Sequence, residues 1–200
     1  MWRNTGNGFT SINASLPGVN QGDAAWGDYD NDGWLDILVS GATGNYPNYN
    51  PITHIWRNNG DGTFSNINAG LPAVQYSAVA WGDYDNDGRL DVLLSGMDTS
   101  TNRITQVWRN TGSGFVNINA GLTALVSQSV SWGDFDNDGR LDIHLAGTPA
   151  GGGNYSEVWR NISPVANTAP TAPTNLASRP EERDEILSWA AGGDAQTPAN

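Results

Sequence analysis

Asp28, Asp30, Asp32 and Asp36 occupy positions 1, 3, 5 and 9 of a nonamer, DYDNDGWLD, that recurs as DYDNDGRLD from Asp83 and as DFDNDGRLD from Asp134. Alternate carboxylates running into a glycine are an array of oxygen donors for a hard cation. Calcium takes roughly six to eight oxygens with tolerant geometry, and loop positions 1, 3 and 5 with a backbone carbonyl at 7 are its usual donors. The first loop offers Asp28, Asp30, Asp32, the carbonyl of Trp34 and Asp36. The second offers Asp83, Asp85, Asp87, the carbonyl of Arg89 and Asp91; the third offers Asp134, Asp136, Asp138, the carbonyl of Arg140 and Asp142. Gly33, Gly88 and Gly139 permit the sharp turn that brings the donors round one point.

Any one such loop also reads as a solvated turn, because Asp-Gly and Asn-Asp are ordinary turn residues. Two features favour the metal. The spacing recurs in all three loops without error. The ninth residue is an Asp inside an apolar run (Leu-Asp-Ile or Leu-Asp-Val), where a carboxylate is costly unless ligated or hydrogen-bonded. No His or Cys lies in the loops, which disfavours zinc, and magnesium prefers to keep its waters. About three calcium ions are expected. The loops are not helix–loop–helix hands: Val39, Leu94 and Leu145 stand at position 12, where such a hand needs Glu.

The elements that must hold these loops repeat with them. Trp26, Trp81 and Trp132 head the loops; Trp-Arg-Asn recurs at Trp2, Trp56, Trp108 and Trp159; a Gly-rich turn leads into Phe9, Phe64 and Phe115. From each Phe to the next loop Trp is 17 residues in every case. Each unit reads as four short strands: a run into Trp-Gly, then LDILVSG-like, ITHIWRN-like and FSNINAGL-like runs. In the second run Leu90, Val92 and Leu94 alternate with Asp91, Leu93 and Ser95 at period two. No stretch sustains a helical period. Four strands in a unit of about fifty residues is the arithmetic of a propeller blade.

On WGDYDNDGRLD, WRNTGSGF and their copies, residues 1 to about 163 resemble the FG-GAP/VCBS repeat family, related to the calcium-binding blades of the integrin alpha-chain propeller. The resemblance implies an all-β chain, a partial propeller of three four-stranded blades, and an extracellular setting. Residues 1–16 are expected to end a preceding blade, followed by blades at 17–71, 72–122 and 123–163. The third unit reaches Trp-Arg-Asn without its Phe strand, and the N-terminal GFTSIN strand is the candidate to replace it. Three blades fall below the usual four to eight. The expectation is part of a larger propeller, or a chain that completes a ring with copies of itself through open edges. Residues 164–175 are Pro/Thr-rich and read as a linker, and 176–200, around ILSW and Trp189, resemble the start of a fibronectin type III domain.

Composition narrows the function. Formal charge is −12, and the three nonamers hold twelve of the 21 acids. All nine basic residues are arginine, unclustered, which argues against nucleic acid as a partner. There is no cysteine and no apolar run of membrane-spanning length, so membrane insertion is not expected. His54 and His144 lack a partner placed by sequence, and the carboxylates are used by the loops, so no catalytic set emerges. Trp34 with Tyr46 and Tyr49 forms a candidate sugar-stacking platform. The expected function is a non-catalytic, calcium-stabilised scaffold or adhesion module at the cell surface or outside the cell, with a protein or glycan ligand. The alternatives are a carbohydrate-binding module of a secreted polysaccharide-degrading enzyme and a self-assembling surface or filament component.

Overall fold

The computed structural model describes residues 1–44, 47–164, 171–181 and 184–190. Every regular element among them is a strand. A two-stranded hairpin, β1 (Trp2–Asn4) and β2 (Phe9–Ser11), precedes the first full unit of β3 (Asn20–Gly27), β4 (Asp36–Thr43), β5 (Asn50–Asn58) and β6 (Phe64–Asn66). The second unit is β7 (Val74–Gly82), β8 (Asp91–Asp98), β9 (Arg103–Asn110) and β10 (Phe115–Asn117). The third is β11 (Leu125–Gly133), β12 (Asp142–Pro149) and β13 (Tyr155–Trp159). Within each unit the strands pair antiparallel in chain order, and a single pair, Ile52↔Val74, joins the first two units into one sheet.

The third unit shows three strands among the described residues, as its missing Phe strand implies: Ile162-Ser163-Pro164 stands where the second unit has the turn Thr111-Gly112-Ser113. One expectation changes. The N-terminal strand does not replace the missing one. β2 pairs with β1, Trp2 opposite Ser11 and Asn4 opposite Phe9. That register repeats β5–β6, where Trp56 faces Asn66, and β9–β10, where Trp108 faces Asn117. Residues 1–16 thus form the outer half of a unit.

The units pack face to face, with first strands β3, β7 and β11 as neighbours. Stacking buries both faces of the second strands, so β8 is buried over six consecutive residues where period two gave one apolar face. Val92 and Leu94 join Leu38, Ile55 and Leu71 in the core between units one and two. Leu93 points the other way, into the core with Val107, Leu125, Ile143 and Leu145. Tyr29 of the first loop stacks on Trp81, with ring centroids 6.4 Å apart and planes 13° apart. The glycine of each Trp-Gly pair makes this approach possible. A Cβ on Gly27 would lie 2.7 Å from the Trp81 ring, and one on Gly82 would lie 2.5 Å from that of Trp132, whereas Gly133 has open space.

The outward face of the third unit differs from the inner ones. His144 and Ser131 stand where the first two units place Leu38, Leu93, Ala25 and Ala80 in cores. Phe135 and Val158 stay exposed beside them, so this face is mixed rather than polar. Beyond it, β14 (Thr174–Glu181) and β15 (Asp184–Ala190) form a separate antiparallel hairpin. Its first strand begins at Thr174, inside the stretch expected as linker. Residues 165–170 of that stretch and 191–200 of the fibronectin-like one lie outside the described residues.

Candidate metal centre

Each acidic loop spans the turn between the first and second strands of its unit, so three equivalent hairpin geometries place three equivalent sites. Position 1 organises the loop. Asp28 Oδ1 accepts the Asp32 N–H at 3.0 Å and Oδ2 accepts the Gly33 N–H at 2.8 Å. Asp83 does the same to Asp87 and Gly88, and Asp134 to Asp138 and Gly139. The turn closes through two left-handed residues, Asn31 at φ 58° and Gly33 at φ 86°, repeated at Asn86, Gly88, Asn137 and Gly139. Asn tolerates that region and Gly enters it freely, which explains the Asn-Asp-Gly order.

Position 9 ties the loop to two strands. Asp91 Oδ2 accepts the Tyr84 N–H at 3.0 Å and Oδ1 accepts the Asn110 N–H at 2.7 Å. Asp36 binds Tyr29 and Asn58 in the same way, and Asp142 binds Phe135 and Asn161. Burial nevertheless pushes Asp91 up to about 8 and Asp36 up to about 6. Burial also raises Asp83 and Asp85, with neighbouring loop carboxylates adding to the rise. A bound dication would reverse this trend, since it favours the ionised form of every oxygen around it.

The structure gathers carboxylate oxygens within 4.8 Å of one another in each loop: Asp28, Asp30 and Asp32; Asp83, Asp85 and Asp91; Asp134, Asp136 and Asp142. Position 9 thus joins the second and third groups and position 5 joins the first. Asp85 Oδ1 is buried and has no hydrogen-bond partner, an acceptor that a cation would satisfy. An all-oxygen donor set with no nitrogen or sulfur fits a hard cation of the calcium class. At position 7 the N–H of Trp34, Arg89 and Arg140 donates to the position 5 carboxylate, and the three carbonyls remain candidate donors.

One group was invisible in the nonamers. The arginine of each Trp-Arg-Asn reaches back to the loop of its own unit. Arg57 Nε lies 2.6 Å from Asp30 Oδ2, and its terminal nitrogen lies 2.7 Å from Asp32 Oδ2. Arg109 clamps Asp85 and Asp87 at 2.6 and 2.9 Å, and Arg160 clamps Asp136 and Asp138 at 2.8 and 3.0 Å. Arg89 and Arg140 add a second guanidinium on Asp87 and Asp138. The signal was present in the sequence, a Trp-Arg-Asn for every loop, but only the return of the third strand shows where it points. Arg109→Gln is expected to loosen the cation-free loop and to tighten calcium binding at that loop roughly tenfold, by removing a positive charge that pairs with the same carboxylates. Calorimetric affinities of variant and parent check this.

Neighbouring loops are also linked. The Asn31 amide donates to the Gly88 carbonyl at 2.8 Å, and that of Asn86 donates to the Gly139 carbonyl at 3.2 Å. Asn110 and Asn161 donate to the carbonyls of Tyr29 and Tyr84 in the preceding unit. The three sites therefore share one hydrogen-bonded rim.

The remaining candidates stand apart from it. His54 lies edge-on to Trp56, with ring centroids 6.1 Å apart, and burial lowers its pKa. His144 Nε2 lies 3.0 Å from Ser156 Oγ, a contact the sequence did not give. Among the described residues no carboxylate is hydrogen-bonded to that histidine, so two members of a hydrolytic triad lack the third. Trp34 is 52% exposed, its ring against the Gly60 turn; Tyr46 lies outside the described residues.

Comparison with curated proteins returned no match. The family model described as FG-GAP-like repeat matches residues 41–94, from the second strand of unit one through the second loop to the second strand of unit two. The nonamer, the Trp-Arg-Asn strand and the strand pairing inside that span recur on both sides of it. Residues 41–94 thus carry an FG-GAP-like repeat, and the units on either side share its motifs.

Proposed function

We propose that the three loops bind calcium, about three ions per chain, and that the ions make this chain a rigid non-catalytic scaffold or adhesion module outside the cell. Asp28, Asp30, Asp32 and Asp36 hold the first ion with the Trp34 carbonyl, and the equivalent residues hold the other two. The observation that carries the reading is the convergence of three carboxylates in each loop, at least one of them buried, with Asp85 Oδ1 left without a partner in a loop of oxygen donors alone. An extracellular setting is the one in which such loops would fill. Extracellular calcium modules bind at roughly 10⁻⁴–10⁻³ M, a level met outside cells. Repeat families of this kind supply interaction surfaces rather than chemistry, and the ligand is a protein or glycan.

Terbium luminescence tests the sites directly, because Tyr29, Tyr84 and Trp34 lie in the loops and sensitise a bound lanthanide. Emission that appears on adding terbium and is displaced by calcium supports the reading. No sensitised emission from a folded chain contradicts it. The carbohydrate-module reading is favoured only by the half-exposed Trp34 ring. Glycan-array binding lost in a folded Trp34→Ala variant would select it.

A further inference from the structure

The fourth strand of each full unit carries a phenylalanine, and in the second unit it fills a gap between units. Phe115 of β10 lies 6.1 Å from the Tyr29 ring and 6.2 Å from that of Trp81, centroid to centroid, completing a three-ring cluster. In the third unit the equivalents of those rings are Tyr84 and Trp132. A cavity of about 310 Å³ lies there, lined by Tyr84, Val107, Leu122, Trp132, Ile143 and Trp159 among others. The cavity is the seat of the absent phenylalanine. Beside it β13 pairs with β12 on one side, and among the described residues no strand pairs with its other edge. Ile162 lines the cavity's mouth but stays 88% exposed.

The missing piece exists elsewhere in the same sequence. Phe9–Leu16 reads FTSINASL, against FSNINAGL at 64–71 and FVNINAGL at 115–122. Phe9 is 69% exposed, on a strand held by three residue pairs to β1. Knob and seat are both present and are not joined. In its own chain β2 lies on β1, which leaves the seat open to a strand from another molecule.

We propose that the groove along β13 receives β2 of a second copy of this chain, with Phe9 seated between Tyr84 and Trp132. β2 turns toward β13 the edge it now gives β1, because only that edge puts Phe9 on the cavity side. The expected register sets Ser11 opposite Trp159, Thr10 opposite Arg160 and Phe9 opposite Asn161, copying Asn117, Val116 and Phe115 opposite Trp108, Arg109 and Asn110. The exchange replaces three strand pairs by three, so backbone hydrogen bonding is nearly neutral. The gain is burial of an exposed ring, as in other strand-addition complexes. Each copy has one knob and one seat, so two copies can exchange strands reciprocally or longer chains can form.

The test uses the full chain in calcium. Light scattering across a concentration series is expected to give the parent a mass at least double the 21.3 kDa of one chain. Phe9→Ala, which alters an exposed side chain, is expected to stay at one chain. A synthetic peptide of sequence TGSGFVNINAGL is expected to bind the Phe9→Ala variant, and the same peptide with alanine for its phenylalanine at least tenfold more weakly. A parent that stays at one chain throughout overturns the proposal, whether or not the peptide binds. So does assembly that survives Phe9→Ala, or a peptide that binds equally well without its phenylalanine.

Discussion

Unfolded in chelator rather than in calcium, the chain is expected to lose about 8 kcal/mol of stability. That is the linkage from three sites, each contributing about 2.7 kcal/mol when free calcium stands a hundredfold above its dissociation constant. For a chain of this size the loss corresponds to a fall in melting temperature of roughly 15–30 °C. The physical origin lies in the loops. Each carries four aspartates, three of them gathered closely, and only some of that charge is met by Arg57, Arg109 or Arg160. These clamps reach positions 3 and 5, while positions 1 and 9 are met by backbone N–H groups alone. On the proposed reading calcium binds the folded loop and finds no comparable site in the unfolded chain. Thermal unfolding followed by circular dichroism in both buffers checks the size of the effect. Equal melting temperatures at millimolar calcium would remove the stabilising role.

Asp91→Ala is expected to cost roughly 2–6 kcal/mol even without calcium, because the Tyr84 and Asn110 N–H groups each lose a buried acceptor worth about 1–3 kcal/mol. Asp91 is fully buried, so water does not take the place of the carboxylate at once. Asp91→Asn separates the two roles of the side chain. It keeps an acceptor for one N–H and the shape of the site, but it removes the charge. The Asn variant is expected to retain more cation-free stability than the Ala variant and to bind calcium more weakly than the parent at that loop. Urea titrations of both variants in chelator, and calorimetry in calcium, read the two roles separately. If Ala and Asn are equally mild in chelator, the carboxylate does not hold the strands.

Local patterns revealed the repeat because its signals are local. The loop spacing, the Trp-Gly pairs and the Gly-x-Phe turns each lie within a few residues, and they placed the strands of the full units and the acidic loops. Three features depend on contacts between distant segments and were not legible. The first is the clamp, since Arg57 and Asp32 are 25 residues apart and meet only when β5 returns past the loop. The second is the burial of both faces of β8, where period two gave Leu93 no core of its own. A strand sandwiched between two neighbours buries alternate residues in two different cores. The third is the partner of β2. The sequence of Phe9–Leu16 fits the vacant position beside β13, yet the hairpin with β1 closes over a four-residue turn and is the more local pairing. The position 9 aspartates fall between these cases. Their cost in an apolar strand was readable, but their hold on the third strand through Asn58, Asn110 and Asn161 was not.

The central claim is that the three acidic loops are calcium sites, and a calorimetric calcium titration of the metal-stripped chain tests it most directly. The expected result is about three ions per chain, with the stoichiometry falling by one in Asp85→Ala while the other two loops still titrate. A folded chain that takes up no calcium at millimolar concentration would contradict the claim and leave the loops as arginine-clamped acidic turns.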